Sequence, residues 1–189
     1  MSEGYSNIAH ATYSEWKTNT IGRAFDLDGS YGCQCWDYAS LFWRNVGFPI
    51  GSPATGPNHY SSECWTYSRL ANQSWAGTTY FDLVNNLSDV KQGDIIVLDG
   101  NTVNPPGHIA FADEDYDGSG YLYCIGQNQG GAPDPSGGTA VTRNHLGMEL
   151  FLGAFRYRGW ETPPPPPPTE TKHRFPWVLY ARKFREKRA

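Results

Sequence analysis

Apolar residues in the first half of the chain recur at helical spacing. Scattered apolar positions within residues 7–24 predict a first helix. The segment CWDYASLFWRNVG, residues 35–47, places apolar side chains three positions apart and ends at Gly47. This pattern predicts a helix of about three turns with a glycine stop. SSECWTYSRLANQSW, residues 61–75, begins with a serine cap signal and predicts another short helix.

The second half of the chain has a different pattern, which begins at Gly93. Short apolar runs are bounded there by Gly, Asn, Asp and Pro. The runs DIIVLDG, GHIAFADE, YLYCIGQNQ and ELFLGAFRYR predict successive antiparallel strands. Helices followed by strands are typical of an α+β domain, which we place at residues 1–160.

A proline-rich linker, residues 161–170, follows this domain and includes six consecutive prolines. Such a run adopts a stiff polyproline II helix of about 3 Å per residue. Beyond it lies a basic, aromatic tail, residues 171–189. Residues 170–189 hold seven Lys or Arg and two Glu, a net +5, so the whole-chain charge of −4 leaves −9 for the rest. We expect the tail to bind an anionic polymer or membrane surface, with a solvated end that binds nothing as the alternative.

Composition limits the remaining classes of protein. Hydrophobic residues at 39% and aromatic residues at 15% support a folded domain. Four cysteines in 189 residues do not form a disulfide scaffold, and Cys33-x-Cys35 does not match the usual zinc spacing. The polar N-terminus has no signal peptide and no run has transmembrane length, so we expect synthesis in a cytoplasm.

The candidate nucleophile is Cys35, in the first turn of the predicted second helix. Helix-terminal N–H groups lower a thiol pKa there, and the thiolate is the reactive form. Gln34 lies beside it, where its amide is able to donate to an oxyanion. His108, at the start of an apolar strand, is the candidate base. The following strand offers Gln127 and Asn128 to orient the imidazole.

A second candidate site lies just before Cys35. Asp26-x-Asp28-Gly29 alternates carboxylates around a glycine, as a calcium loop does. An acidic turn without a metal is the alternative interpretation.

Four motifs together resemble the CHAP domain, the cysteine- and histidine-dependent amidohydrolase/peptidase of phage and bacterial lysins. They are DLDGSYGCQCWD (26–37), QGDIIV (92–97), GHIAF (107–111) and GQN (126–128). The resemblance implies a papain-like fold with N-terminal helices on an antiparallel sheet. It also implies hydrolysis of an amide bond in peptidoglycan, with Cys35 as nucleophile and His108 as base. Endopeptidase and N-acetylmuramoyl-L-alanine amidase activities both remain open.

The resemblance also assigns a Ca²⁺ loop and a third catalytic residue. Carboxylates would come from Asp26, Asp28 and Asp37, and backbone carbonyls from Ser30 and Gly32. Gly32 stands where the family often has a histidine. Family members also often have a glutamate at the position of Gly126, so here the orienting role passes to Asn128.

These inferences predict a phage endolysin, released through a holin, that acts on peptidoglycan. We expect no nucleic-acid partner and no organic cofactor. The alternative is a non-catalytic wall-binding or virion-assembly module, with Gly126 marking a decayed site. The retained Cys35 and His108 argue against decay.

Overall fold

A computed structural model describes residues 8–69, 74–75, 78–130, 134–135 and 137–160. The predicted linker and tail lie outside the described residues. No helix in these ranges is long and apolar enough to cross a membrane.

The α-helices of the described residues lie in the first half of the chain, as predicted. They are α1 (Tyr13–Thr20), α2 (Cys35–Asn45) and α3 (Glu63–Ser68). The hydroxyl of Thr12 accepts a hydrogen bond from the N–H of Glu15 and caps α1. After α2 the chain turns at Gly47, whose φ of 101° favours glycine and supplies the predicted stop.

The described strands form two antiparallel sheets. A two-stranded sheet pairs β1 (Ser74–Trp75) with β2 (Thr78–Thr79). The main sheet has six strands in the order β3-β8-β4-β5-β6-β7. Its members are β3 (Phe81–Val84), β4 (Ile95–Leu98), β5 (His108–Ala112), β6 (Tyr121–Gly126), β7 (Thr142–Gly147) and β8 (Phe151–Tyr157).

Four of the six main strands, β4, β5, β6 and β8, confirm the predicted apolar runs. The two edge strands, β3 and β7, were not predicted. The β7 sequence TRNHLG is mostly polar and half-exposed, so it carries little hydrophobic signal. The third predicted helix is shorter than expected, because Ser74 and Trp75 pair with β2 instead of continuing α3.

The core lies on both faces of the sheet. On β4, Ile95 and Val97 join an aromatic-rich cluster with α1 and α2, while Ile96 and Leu98 join a second cluster on the other face. Both faces of this central strand are therefore buried, which explains its unbroken apolar run. Trp43 of α2 stacks on Phe81, with ring centroids 4.6 Å apart. This packing fixes α2 against the sheet.

A glycine brings β5 into position beside the start of α2. Gly107 has φ +69° and precedes His108, the first residue of β5. A Cβ at Gly107 would lie 2.4 Å from the carbonyl oxygen of Leu98 and 2.8 Å from the Cβ of Ser62. Neither the backbone nor the space admits a larger residue, so the approach to His108 depends on this glycine.

Candidate active site

The first residue of α2 and the first residue of β5 form the centre of the site. Cys35 is 6% exposed, and its Sγ lies 3.1 Å from the hydroxyl of Ser61. The Cys35 thiol also interacts with His108 through charge and a hydrogen bond. Two residues 73 positions apart in sequence, both proposed from sequence alone, therefore meet in the structure.

Opposing pKa shifts link these two groups. Burial raises the pKa of Cys35, but the charge of His108 and hydrogen bonds from His108, Ser61 and the Ile109 backbone outweigh burial and lower it. Burial lowers the pKa of His108, but the charge of Cys35 and hydrogen bonds to Cys35 and Gln129 raise it. Each group thus stabilises the charged form of the other, which favours a thiolate–imidazolium pair.

The hydrogen bond predicted to join His108 to Asn128 goes to Gln129 instead. Nε2 of His108 lies 2.9 Å from Oε1 of Gln129. Strand β6 ends at Gly126, and the chain turns at Asn128, which has φ +55°. After this turn it is Gln129 that reaches the imidazole. The run GQNQ contains three amide side chains, and only the turn decides which one contacts His108.

Asn128 and Gln127 contact the other side of the site. Asn128 donates a hydrogen bond of 2.7 Å from Nδ2 to Oε1 of Gln34. Gln127 is fully buried; its amide accepts from the N–H of Phe25 and donates to the carbonyls of Phe25 and Gln34. Both amides therefore hold the segment before α2, whereas the amide that contacts Nε2 of His108 is that of Gln129.

Gln34, the predicted oxyanion donor, is the N-cap of α2. Its Nε2 donates to the carbonyl of Tyr31 at 2.6 Å, and its Oε1 accepts from Asn128. These two bonds orient the amide, whose –NH₂ group has a second proton. The oxyanion role of Gln34 stays a prediction, and these two hydrogen bonds hold its side chain in one orientation.

The acidic residues before Cys35 form a cluster. Asp26, Asp28 and Asp37 each place a carboxylate oxygen within 4.8 Å of the other two. Asp37 is buried and accepts from the N–H groups of Leu27 and Gln34 at 3.0 and 2.9 Å. It therefore ties the acidic loop to the first turn of α2.

The cluster has the chemistry of a hard-cation site. Burial, together with the charges of Asp28 and Asp26, raises the pKa of Asp37 to about 6, against the two backbone N–H groups that lower it. Carboxylate oxygens grouped in this way suit a divalent cation such as Ca²⁺ or Mg²⁺. Ser30 and Gly32 lie in the same loop, and their predicted carbonyl contributions stay predictions.

The remaining cysteines, Cys33, Cys64 and Cys124, differ from Cys35 in their surroundings. All four cysteines lie within the described residues, are buried and form no disulfide with one another. Burial raises the pKa of both Cys64 and Cys124, and these thiols stay protonated. Within the described ranges, the acidic cluster is the group of His, Cys, Asp and Glu side chains with metal-binding spacing, and it contains no cysteine.

Comparison with known proteins identifies the family. The sequence profile of the CHAP domain matches residues 25–128, which hold the acidic loop, Cys35 and His108. The chain belongs to the CHAP domain family. The resemblance seen in the sequence motifs is therefore confirmed.

A curated relative and a solved structure are also similar. The chain is 38% identical over 123 residues to a D-alanyl-L-alanine endopeptidase of Streptococcus phage B30, covering 65% of this chain and 26% of that protein. It thus spans about a quarter of that relative's length. The crystal structure of the endolysin LysIME-EF1 matches with a TM-score of 0.56 and 22% identity, covering 77% of this chain and 62% of that one. This likeness confirms the predicted α+β, papain-like fold.

Proposed function

We propose that this protein is a peptidoglycan hydrolase that cleaves an amide bond through a Cys35 thiolate. The observation that carries the proposal is the Cys35–His108 pair, whose pKa values shift in opposite directions at the start of α2. A thiolate is the reactive form of cysteine, and an imidazolium beside it is ready to protonate a leaving amine. Membership of the CHAP domain family supports the same chemistry.

The proposed reaction has two halves. In the first, Sγ of Cys35 attacks the carbonyl carbon, and the carbonyl electrons move to oxygen. In this proposal the Cys35 backbone N–H and the Gln34 amide stabilise this oxyanion. His108 then donates its proton to the amide nitrogen, the C–N bond breaks, and the amine leaves. In the second half, His108 takes a proton from water, which attacks the thioester, and the C–S bond breaks to release a carboxylate and the thiolate.

The bond that we propose is a peptide bond in the cross-links of the wall. The support is the name of the relative from Streptococcus phage B30, a D-alanyl-L-alanine endopeptidase. An N-acetylmuramoyl-L-alanine amidase would use the same thiolate on the bond between glycan and stem peptide. The products separate the two activities, because only the amidase frees the glycan from peptide.

The test is digestion of purified walls from candidate Gram-positive hosts, with Cys35→Ala as the inactive control. Mass analysis of the fragments and assay of new amino termini identify the bond. Endopeptidase action leaves stem peptides attached to the glycan and opens the cross-links. Wall binding without any new amino terminus would support the alternative, a non-catalytic wall-binding or virion-assembly module.

We also propose that Asp26, Asp28 and Asp37 hold a structural Ca²⁺, completed by backbone carbonyls of Ser30 and Gly32. The support is the clustering of three hard-oxygen ligands around a buried Asp37. A bound cation would offset the repulsion among these carboxylates and hold the loop to the start of α2. No step of the reaction passes through the ion.

The site of action that we propose is the bacterial cell wall, reached from the host cytoplasm through a holin. The proposal relies on the family and on the phage origin of the relative. The basic tail would then bind anionic wall polymers or the membrane surface.

A further inference from the structure

The Gln129 amide has a single orientation that satisfies its contacts. Its Nε2 donates to the carbonyl of Cys124 at 3.0 Å and to the carbonyl of Thr142 at 2.8 Å. Both protons of the amide nitrogen are used by these two bonds. The residue is only 8% exposed, so its side chain has little contact with solvent. Oε1 is therefore the atom that faces His108, at 2.9 Å from Nε2.

This orientation decides where the imidazole carries its proton. An amide oxygen only accepts hydrogen bonds, so Nε2 of His108 must be the donor. The neutral ring then has its lone pair on Nδ1, the nitrogen left for the thiol of Cys35. The titratable group facing the imidazole is that thiol, and the other side chain that contacts the ring, Gln129, is neutral.

The Gln129 amide occupies the space that a side chain at position 126 would need. A Cβ at Gly126 would lie 2.7 Å from Oε1 of Gln129 and 3.2 Å from the Cβ of Ala110. Gly126 ends β6 and does not have a positive φ, so its backbone does not call for glycine. A side chain at position 126 would instead collide with Oε1 of Gln129, the atom that accepts the hydrogen bond of His108.

We propose that Gln129 is the positioning residue of His108, and that Gly126 is required because it leaves room for the Gln129 amide. Gln129 fixes the Nε2–H tautomer and so directs the basic nitrogen toward Cys35. Gly126 is then a coupled part of the site and not the mark of a decayed one. The effect on catalysis depends on the proposed function, whereas the tautomer and the coupling do not.

The first test replaces Gln129 by residues of similar length. Gln129→Met removes the acceptor, and Gln129→Glu keeps it and adds charge. Nitrogen NMR of the imidazole, recorded above its pKa where the ring is neutral, should show that Gln129→Met loses the Nε2–H preference, and a pH titration should show a lower pKa of His108. Gln129→Glu should keep the preference and raise that pKa. We expect kcat/KM on purified walls to fall at least about 10-fold in Gln129→Met, with partial rescue in Gln129→Glu, because a wrong tautomer in a comparable triad costs up to about 10⁴-fold.

The second test uses Gly126→Ala, which changes no donor or acceptor atom of the Gln129 side chain itself. Its methyl group should displace the amide and reproduce the spectrum of Gln129→Met. In a double-mutant cycle, adding Gly126→Ala to Gln129→Ala should cost little further activity, because the displaced atom is already gone. This variant also keeps the proposal testable if Gln129→Met unfolds.

The matched control is Gln92→Met. Gln92 is an exposed glutamine whose Nε2 donates to the carbonyl of Asp113, away from the site. It should leave the His108 spectrum and the activity unchanged. An unchanged tautomer and pKa in Gln129→Met, or full additivity of Gly126→Ala with Gln129→Ala, would overturn the proposal. A lost tautomer in a protein that cleaves no wall would instead overturn the proposed function.

Discussion

At the scale of single residues, the reactivity of the site depends on the protonation states of Cys35 and His108. The pKa of the Cys35 thiol lies below its ordinary range and that of His108 above. The thiolate exists above the first pKa, and the imidazolium persists up to the second. The ion pair is therefore most populated at pH values between the two, and it is lost to protonation of sulfur on the acid side and to deprotonation of the ring on the alkaline side.

The pH dependence of alkylation checks this pairing. Iodoacetamide should modify Cys35 at pH values below those at which ordinary thiols react. In His108→Ala the charge that lowers the thiol pKa is gone, so the reaction profile should move to higher pH. Activity on walls should fall on the order of 10²-fold or more, the usual loss for a positioned acid–base group. Coincident alkylation profiles for the two proteins would show that His108 does not set the thiol pKa.

The identity of the nucleophile is a second prediction at this scale. Cys35→Ser should abolish wall lysis and leave the melting temperature close to that of the wild type. Cys33→Ser is the comparison, because Cys33 is also buried and lies two positions away. Peptide mapping after limited alkylation should find the label on Cys35. A lytic Cys35→Ser variant with an inactive Cys33→Ser variant would reverse the assignment.

Among the elements, the start of α2 combines the largest number of roles. Asp37, in its first turn, accepts the backbone N–H groups of Leu27 and Gln34, so one carboxylate links the acidic loop, the N-cap and the helix that carries Cys35. The same carboxylate belongs to the acidic cluster. Neutralising the cluster should therefore stabilise the loop and the catalytic helix together.

Calcium titration tests this link. At a free concentration about 100 times its Kd, a ligand adds about 2.7 kcal/mol of stability, or roughly 5 to 11 °C for a domain of this size. Asp28→Ala should remove this gain, and EDTA should slow lysis until calcium is restored. Asp117→Ala is the matched control, since Asp28 and Asp117 each accept the N–H two residues ahead. Equal melting temperatures in EDTA and in millimolar calcium would leave an acidic turn without a metal.

Over the whole molecule, charge is unevenly distributed along the chain. Residues 170–189 carry +5, and the remaining residues carry −9. Six prolines separate the two, and such a run holds its ends apart. If the proline run is the stiff spacer that the sequence predicts, we expect the tail to bind an anionic wall without being neutralised by the acidic domain.

Truncation after Thr162 tests the tail. Binding to intact cells should weaken, most strongly at low salt, because exposed charges are screened within about 8 Å at physiological ionic strength. Cleavage of small soluble muropeptides should be unaffected. Replacing Trp177 and Phe184 by Ala should remove any part of the binding that salt does not weaken. If truncated and full-length proteins bind cells equally at low salt, the tail is not the anchor.

Local sequence was sufficient to predict the elements that have a strong apolar pattern. The three helices and four central strands follow from apolar spacing, capping residues and glycine stops, all of which act over a few positions. The edge strands β3 and β7 were missed because each pairs with only one neighbour in the sheet, and β7 presents mostly polar side chains. Their pairing depends on partners that are distant in sequence, and local patterns do not contain that information.

The chemical groups of the site were also determined by sequence: a cysteine at a helix start, a histidine at a strand start and carboxylates in a glycine turn. Their assignment to partners was decided by tertiary structure. Nothing in the order of GQNQ shows that Asn128 contacts Gln34 while Gln129 contacts His108. The positive φ of Asn128 and the absence of a side chain at Gly126 make that choice. Sequence fixes which atoms are available, but a hydrogen bond forms only where the folded backbone brings donor and acceptor within about 3 Å.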